Sequence, residues 1–428
     1  MKIIEGFSKA KPLFSRQSSG IGDEALEKNV RRIIDDVHKR GDATLYNLTQ
    51  KFDGVKLTAL EVSKSDINRA YKEVDKGLIA ALELAAKRIA AYHQKQKKTL
   101  LNEATKDKLG WLIKPLERVG IYVPGGTAPL PSSLLMTVVL ARVAGVKEII
   151  LCTPPQKDGK ISPITLAAAK IAGVDRIFSV GGAQAIAAMT YGTKSVPAVD
   201  KIYGPGNLYV TLAKKMVYGK VGIDGLYGPS EVIIVADDTA NPAYVAADML
   251  AQAEHGSLAL SILIATSQKI AEAVNREVEK QTKELPRRDI VNEALKRGFI
   301  AVVKTVDEAI ELSNLYAPEH LCLVVKNTNS YTSRVTNAGC LFLGENAIEA
   351  LVDYAAGPSH VLPTGGTARF SSPLNILDFV KLISLVKTDA KDIKQLGKAV
   401  IKIAKAEGLD AHARAVEKRL KDAGKGGS

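Results

Sequence analysis

Histidine placement is the feature of this sequence that points most directly to chemistry. Four of the six histidines lie beyond residue 100, in the segments QAEH at 252–255, APEH at 317–320, DYAAGPSH at 353–360 and EGLDAH at 407–412. Each of these histidines has an acidic or amide side chain nearby. Taken singly, such a histidine is more often a capping or core hydrogen-bonding residue than a ligand. The other two, His38 and His93, lie among charged residues and glutamine on helical sequence, and we predict both to be surface residues.

One set of these side chains has the composition of a catalytic metal site. Gln252 and His255 lie three positions apart, so on a helix they share one face and can reach one ion. Asp353 and His412 would complete a shell of nitrogen and oxygen ligands. Such a shell suits a catalytic zinc with room for a substrate atom, whereas structural zinc sites favour thiolates. The set predicts a metal-assisted enzyme.

A second set of side chains suits acid–base catalysis. Glu319 and His320 are adjacent, between a predicted helix and a predicted strand. Adjacent side chains of an extended chain point in different directions. They would therefore flank a substrate, one acting as a base in carbon chemistry and the other acting on water. The residues alone leave the reaction open.

The elements that would position these residues alternate between strand and helix. From Trp111 onward, β-branched runs such as EIILCT and LSILIAT alternate with alanine-rich helical runs, which predicts parallel sheets with right-handed crossovers. Glycine-rich turns occur at IYVPGG 121–126, SVGGAQ 179–184, YGPGN 203–207 and YGPSE 227–231. Any one of them is more often a structural turn. Together, in loops where parallel sheets bind ligands, they favour a nucleotide-like cofactor, although none is a complete dinucleotide or P-loop motif.

Composition restricts the class of protein. The chain has 428 residues, of which 46% are hydrophobic and 25% charged, as in multidomain globular proteins. Its net charge of +13 raises a nucleic-acid-binding alternative, which no interleaving of basic and aromatic residues supports. Cys152 and Cys322 lie in apolar runs, which predicts buried thiols and a reducing cytoplasm. Neither a bilayer-spanning run nor a secretory signal is expected.

A longer series of motifs resembles the signature blocks of the histidinol dehydrogenase family, in the family's order. The blocks are RVGIYVPGGTAPLPSS, VGGAQAIAAMTYGT, VDKIYGPGN, VGIDGLYGPSEV, LAQAEHG, LYAPEHL, DYAAGPSHVLPTGGTARFSS and EGLDAH. The resemblance covers nearly the whole chain from about residue 25. It implies a zinc-dependent, NAD-linked, four-electron oxidation of L-histidinol through L-histidinal to L-histidine, the last steps of histidine biosynthesis.

The resemblance also implies roles for individual residues. One Zn²⁺ per subunit would be held by Gln252, His255, Asp353 and His412. Glu319 would activate water for attack on the aldehyde, and His320 would remove the hydroxyl proton. The substrate would contact the four zinc ligands and also Ser230, His320, His360 and Glu407. NAD would contact Tyr122, Gln184 and Asn207.

From the pattern and the resemblance we predict an α/β fold. It would have two Rossmann-like, incomplete parallel-sheet domains, and small N-terminal and C-terminal helical segments that pack in a dimer. The first domain, with the zinc and catalytic residues, would comprise 23–121 and 233–372. Residues 122–232 would form the NAD-binding domain. Residues 1–22 would be an N-terminal arm and 373–428 a dimerisation segment. The family is a homodimer with shared active sites, which implies that Glu407 and His412 serve the neighbouring subunit.

Several residues depart from the family pattern near the expected substrate region. Tyr227 stands where alanine is usual, Gly256 where aspartate is common, Val352 where glycine is usual and Ser359 where asparagine is usual. None of these changes removes a predicted ligand or base. They keep open a second hypothesis, a zinc- and NAD-dependent dehydrogenase of the same family that acts on another polar alcohol, for example a sulfopropanediol.

Overall fold

The computed structural model describes residues 1–15, 24–101, 108–125 and 129–425. Part of the predicted N-terminal arm, and Gly126 of the first predicted glycine turn, lie outside the described residues. The strands are β1 Lys2–Glu5, β2 Leu109–Pro115, β3 Arg118–Tyr122, β4 Glu148–Thr153, β5 Arg176–Ser179, β6 Lys201–Tyr203, β7 Gly222–Ile223, β8 Glu231–Ala236, β9 Leu260–Ala265, β10 Phe299–Val302, β11 His320–Val324, β12 Cys340–Leu343 and β13 Val380–Val386.

The helices fill the connections between these strands, as the alternating pattern predicts. They are α1 Phe7–Phe14, α2 Glu24–Arg40, α3 Asp42–Asp53, α4 Lys64–Glu73, α5 Lys76–Leu100, α6 Pro131–Ala144, α7 Pro163–Ala172, α8 Gly182–Tyr191, α9 Leu208–Val217, α10 Pro242–Ala253, α11 Gln268–Thr282, α12 Arg288–Arg297, α13 Val306–Tyr316, α14 Glu349–Tyr354, α15 Ala390–Ala406 and α16 Asp410–Lys425. Short 3₁₀ helices cover Thr328–Arg334, Thr367–Arg369 and Ile376–Phe379.

One parallel sheet has five strands in the order β5-β4-β3-β6-β7. Strands β3 and β4 are buried along nearly their whole length, because helices cover both faces of a parallel sheet. The strand order reverses at β3, which lies between β4 and β6. Such a switch point opens a crevice at the carboxyl ends of the strands. Tyr122 ends β3 and Tyr203 ends β6 at this edge.

A second parallel sheet has six strands in the order β1-β10-β9-β8-β11-β12. Strand β1 pairs with β10 from Lys2 opposite Phe299, so the start of the chain forms an edge strand of this sheet. The central strands β8 and β11 pair from Val232 opposite His320. This register places His320 next to the beginning of β8.

Helices cover the sheets and form the cores. Helices α2, α3, α8 and α9 share a core with the five-stranded sheet, while α10, α11 and α12 pack on one face of the six-stranded sheet. Helices α1 and α13 pack on the other face of that sheet. The predicted α/β class with parallel sheets is confirmed.

The chain divides into two compact units. The first comprises Met1–Lys97 and Leu116–Phe379 and contains both parallel sheets. The second comprises Lys98–Pro115 and Val380–Ser428. In the second unit β2 pairs with β13 in antiparallel fashion, and α15 packs against α16. The predicted domain boundaries and the dimer packing of the terminal segments stay predictions.

The two histidines predicted at the surface differ in environment. His38 is exposed, and its ring stacks on Tyr191 at 4.0 Å. His93 is only 1% exposed, so the prediction for it is wrong. It continues the buried stripe of α5 one turn after Ile89, and its Nδ1 lies 3.0 Å from Gln96 Oε1. Burial lowers the pKa of His93, so it packs in the core as a neutral ring.

The cysteines are free, and Cys152 and Cys322 are buried as predicted. Burial raises the pKa of both thiols, which therefore stay protonated. Among the described residues, no helix combines the length and the apolar character that crossing a membrane requires.

Candidate active site

The adjacent residues Glu319 and His320 are buried at the amino end of β11. Helix α13 ends at Tyr316, and Ala317 follows in a left-handed conformation with φ 56°. Pro318 cannot continue the helix, so the chain turns at once into the strand. Glu319 is 6% exposed and His320 is 4% exposed. The turn therefore brings two ionisable side chains into the interior.

Both side chains are held by the backbone of Glu231, the first residue of β8. The Glu231 N–H donates to Glu319 Oε2 at 2.9 Å, and His320 Nδ1 lies 3.2 Å from the Glu231 carbonyl oxygen. Because a carbonyl oxygen only accepts, Nδ1 carries the ring proton and Nε2 keeps its lone pair. The Ser230 hydroxyl also hydrogen-bonds Glu319. The result is a fixed carboxyl group beside an imidazole with one basic nitrogen.

Burial changes the acidity of both groups. Lost hydration raises the pKa of Glu319 well above its usual range, and the charges of Glu231 and Asp353 raise it further. Burial lowers the pKa of His320 to about 3. At neutral pH His320 is therefore uncharged and can accept a proton, and Glu319 is a stronger base than an ordinary carboxylate once ionised.

Three side chains that could hold a metal ion converge beside this pair. The ligand atoms of His255, Glu349 and Asp353 all lie within 4.8 Å of one another. Glu349 and Asp353 are one turn apart on α14 and share a face, while His255 follows the end of α10. His320 Nδ1 lies 3.8 Å from Glu349 Oε1, which connects this cluster with the acid–base pair.

The buried polar atoms nearby fit a cation site. Gln252 is fully buried in the last turn of α10, and neither atom of its carboxamide has a hydrogen-bond partner among the described residues. Oε2 of Glu349 is likewise without a partner in the described part of the chain. Buried polar atoms are normally hydrogen-bonded. A bound cation would satisfy the two oxygen atoms, Oε1 of Gln252 and Oε2 of Glu349, whereas the Gln252 NH₂ group is a donor and does not coordinate an ion.

Glu349 is the functional candidate that the sequence analysis missed. It is 3% exposed, and its carboxylate lies 3.7 Å from His255 Nε2. Its four-residue separation from Asp353 on one helix is the signal that could have revealed it. Glu349 and Asp353, the first and fifth residues of the segment EALVDY, have this spacing.

The predicted substrate residue His360 is attached to the same cluster. His360 Nδ1 lies 2.8 Å from the backbone carbonyl oxygen of Asp353, so Nδ1 is protonated and Nε2 is the accepting nitrogen. Ser133, in the first turn of α6, has its Oγ 3.1 Å from that Nε2. Burial lowers the pKa of His360 to about 4, so the ring is neutral. Ser133 was not among the predicted residues.

The predicted cofactor residues gather at the carboxyl edge of the five-stranded sheet. The Gly182 N–H donates to Tyr122 Oη at 3.0 Å, which joins the end of β3 to the start of α8. Gln184 is buried in the first turn of α8. Asn207 caps α9, and its Oδ1 accepts from the Val210 N–H at 3.2 Å.

The two remaining predicted site residues lie in the second compact unit. Glu407 is the C-cap of α15, and His412 is in the first turn of α16. Both side chains are exposed. The cluster of His255, Glu349 and Asp353 is formed by the first unit alone.

The fold and the site together define an α/β enzyme. One parallel sheet has a switch point, where sheets of this kind bind ligands, and a second parallel sheet buries Glu319 and His320 beside three side chains that could hold a metal ion. Neutral imidazole, a carboxyl group of raised pKa and clustered metal ligands are the groups that catalytic sites use.

Comparisons with known proteins identify the family. The family model "Histidinol dehydrogenase" matches residues 16–420. A histidinol dehydrogenase of Dehalococcoides mccartyi is 55% identical, with 98% of this chain and 100% of that protein covered. One from Lactiplantibacillus plantarum is 49% identical, with 98% and 99% covered. The crystal structure of histidinol dehydrogenase from Elizabethkingia anophelis is 42% identical, covers 99% of this chain and 98% of its own, and superposes with a TM-score of 0.93. This chain belongs to the histidinol dehydrogenase family and is an oxidoreductase.

Proposed function

We propose that this enzyme oxidises L-histidinol to L-histidine through L-histidinal, with one zinc ion per subunit and NAD. The observation that carries the proposal is the Glu319–His320 pair, buried and anchored on the backbone of Glu231 next to the cluster of metal ligands. An oxidation from alcohol to acid needs a base for the hydroxyl proton and a base for water. The two adjacent groups meet both needs.

His320 is proposed as the base for the hydroxyl proton. Its Nδ1–H is held by the Glu231 carbonyl, so Nε2 is the nitrogen that takes the proton. Burial keeps the ring neutral, which is the form that can act as a base. Bound NAD would supply the hydride acceptor for each of the two oxidations. The hydroxyl proton would pass to His320 Nε2, and the carbon of the same alcohol would give up the hydride.

Glu319 is proposed to act on water in the second oxidation. The ionised carboxylate would take a proton from water as the water attacks the aldehyde carbon, and the hydrated aldehyde provides the second hydride. Hydrogen bonds from the Glu231 N–H and from Ser230 fix the carboxyl group in place. Ser230, His360 and Glu407 are proposed to hold the substrate.

The proposed zinc ligands are Gln252, His255, Asp353 and His412. The buried carboxamide of Gln252 and the cluster around His255 fit such an ion, because the donors are nitrogen and oxygen atoms with no thiolate among them. Bound zinc would mainly hold the amine and imidazole nitrogens of the substrate and would polarise its oxygen to a lesser degree. Glu349 is proposed as a neighbouring carboxylate that orients His255.

NAD is proposed to bind at the carboxyl edge of the five-stranded sheet, in contact with Tyr122, Gln184 and Asn207. Helices α8 and α9 begin there after glycine-rich turns, and helix N-termini suit phosphate groups. Gly181, the N-cap of α8, is buried, and a Cβ there would lie 2.5 Å from the Cβ of Pro154, so a glycine is needed for the turn to pack at this end of the sheet.

We propose a homodimer in which Glu407 and His412 complete the neighbouring subunit's site. The exposure of both side chains, at the junction of α15 and α16, supports this role. The exposed apolar residues of this unit also favour association, among them Trp111, Leu382, Leu396 and Ile403. The free thiols, of which Cys152 and Cys322 are buried, support a reducing, cytoplasmic location.

The test is the stoichiometry of NADH formation in the zinc-loaded protein. With limiting L-histidinol and excess NAD, we expect two NADH and one L-histidine per L-histidinol. A parallel assay with a sulfopropanediol addresses the alternative substrate. Turnover of the diol without turnover of L-histidinol would replace the proposed substrate, and turnover of neither would reject the proposal.

A further inference from the structure

Lys214 and Asp224 form a buried ion pair under the turn between β6 and α9. Their side chains are 2% and 0% exposed, and Nζ lies 2.5 Å from Oδ1. Lys214 is in the last turn of α9, and Asp224 follows the edge strand β7. The pair therefore connects two elements that flank the carboxyl edge of the five-stranded sheet.

This ion pair holds both polar backbone groups of Gly204. The Gly204 N–H donates to Asp224 Oδ2 at 2.7 Å, and Lys214 Nζ donates to the Gly204 carbonyl oxygen at 2.9 Å. The Gly225 N–H donates to Asp224 Oδ1 at 2.8 Å. The charges thus satisfy the backbone of one glycine from both sides.

Only glycine fits at position 204, which lies against the proposed cofactor edge. Its φ is +115°, and a Cβ at this position would lie 2.0 Å from the Tyr122 carbonyl oxygen. Three residues later the turn reaches Asn207, the cap of α9. Fixing Gly204 therefore fixes the spacing between Tyr122 and Asn207.

A buried ion pair is a poor source of stability, because removing two charges from water offsets much of their attraction. Apolar residues of similar size would serve packing as well. The Tyr227 ring lies 4.9 Å from Lys214 Nζ and helps to cover the ammonium group. The particular contribution of the pair is geometric, since only a donor and an acceptor together can hold both the N–H and the carbonyl group of Gly204.

We propose that Lys214 and Asp224 are positioning residues for NAD, which hold the Gly204–Asn207 turn in the shape that receives the cofactor. The inference rests on the proposed NAD site. Preorganised turns bind more tightly because less conformational freedom is lost on binding. Losing the pair should therefore weaken NAD binding without weakening histidinol binding, which involves the other sheet.

The test uses the double variant Lys214→Met/Asp224→Asn, which removes both charges together and leaves no unpaired buried charge. Its matched control is Arg118→Met/Glu148→Gln, which removes a 2.6 Å ion pair at the amino ends of β3 and β4 in the same sheet. Calorimetric titration with NAD alone gives the Kd, thermal unfolding gives the Tm, and initial rates give KM for NAD and for L-histidinol.

We expect the Lys214/Asp224 variant to raise the Kd and KM for NAD about tenfold, with KM for L-histidinol within about twofold of wild type. The control pair is partly exposed, so its removal should lower Tm less and leave the Kd for NAD unchanged. Equal NAD affinity in the variant and the wild type, or equal weakening in both variants, would overturn the positioning role. Failure of the wild type to bind NAD would instead reject the proposed NAD site.

Should that double variant not fold, Lys214→Leu/Asp224→Asn provides the same test. It also leaves no unpaired buried charge, and it removes the donor to the Gly204 carbonyl oxygen. A selective rise in the Kd for NAD supports the positioning role, and an unchanged Kd overturns it.

Discussion

The two parallel sheets carry their candidate functional residues at opposite strand ends. In the five-stranded sheet, Tyr122 ends β3 and Asn207 follows β6. In the six-stranded sheet, Glu231 and His320 are the first residues of β8 and β11. Parallel α/β sheets usually bind ligands beyond the carboxyl ends of their strands. That rule predicts the location of the proposed cofactor edge, but it does not predict the location of Glu319 and His320.

The difference shows how the start of a strand can hold catalytic groups. The ladder between β8 and β11 begins with Val232 opposite His320. One residue earlier, the N–H of Glu231 donates to the Glu319 carboxyl group, and the carbonyl oxygen of Glu231 accepts from the His320 ring. Backbone atoms fixed by a sheet position side chains more rigidly than a loop does. Glycine turns shape one edge, and side chains anchored on a strand shape the other.

The largest effect is expected from removing the imidazole base of the six-stranded sheet. In His320→Asn the new amide can still donate to the Glu231 carbonyl oxygen, but no group accepts the hydroxyl proton. We expect kcat with L-histidinol to fall about 10²–10⁴-fold, with zinc content and circular dichroism unchanged. Steady-state assays and metal analysis check this, and a kcat close to wild type would contradict the assignment.

Glu319→Gln should separate the two oxidations. The glutamine carbonyl keeps the hydrogen bond from the Glu231 N–H, while the base for water is lost. We expect oxidation of L-histidinal to slow about 10²-fold and oxidation of L-histidinol to L-histidinal to slow less. Single-turnover assays from each substrate measure the difference. Equal slowing of both steps would show that Glu319 does not act on water.

The pH dependence sharpens the same distinction. Burial raises the pKa of Glu319, and the group must be ionised to act, so oxidation of L-histidinal should rise with pH through this raised pKa and be lost below it. In Glu319→Gln that rise should disappear. A wild-type rate that falls only near the ordinary glutamate pKa of about 4.3 would argue against a buried base.

A smaller effect is expected from changing a proposed zinc ligand. Gln252→Ala removes a buried carboxamide that lacks a partner among the described residues, so we expect zinc affinity to fall about 10–100-fold. Competition with a chromophoric chelator measures it. The matched control is Glu254→Gln, an exposed position two residues further along. Equal zinc affinity in the two variants would contradict a ligand role for Gln252.

The smallest effect is expected from removing the hydrogen bond between Ser133 and His360. Ser133, on α6, hydrogen-bonds His360 Nε2, and losing this bond should change KM for L-histidinol a few-fold, as one neutral hydrogen bond does. In Ser133→Ala the Kd for NAD should stay at the wild-type value. A variant that weakens NAD binding and leaves KM for L-histidinol unchanged would assign Ser133 to the cofactor side.

The sequence predicted the features that depend on local pattern. Alternating strand and helix runs predicted the parallel sheets. The three-residue spacing of Gln252 and His255 predicted a shared helix face, but α10 ends at Ala253 and His255 lies beyond it. His93 was misjudged because its neighbours in sequence are polar. The buried positions Ile79, Leu82, Ala85 and Ile89 recur at helical spacing, and His93 continues that stripe. Contacts between segments far apart in the chain, such as Glu319 with Glu231, produce no local sequence pattern.

The most direct test of the division between the two sheets is the Kd for NAD in His320→Asn and in Asn207→Ala, measured by calorimetry without substrate. We predict that His320→Asn binds NAD as the wild type does although it turns over poorly. Asn207→Ala should bind NAD about tenfold more weakly. Normal NAD binding by Asn207→Ala together with weakened binding by His320→Asn would contradict the account.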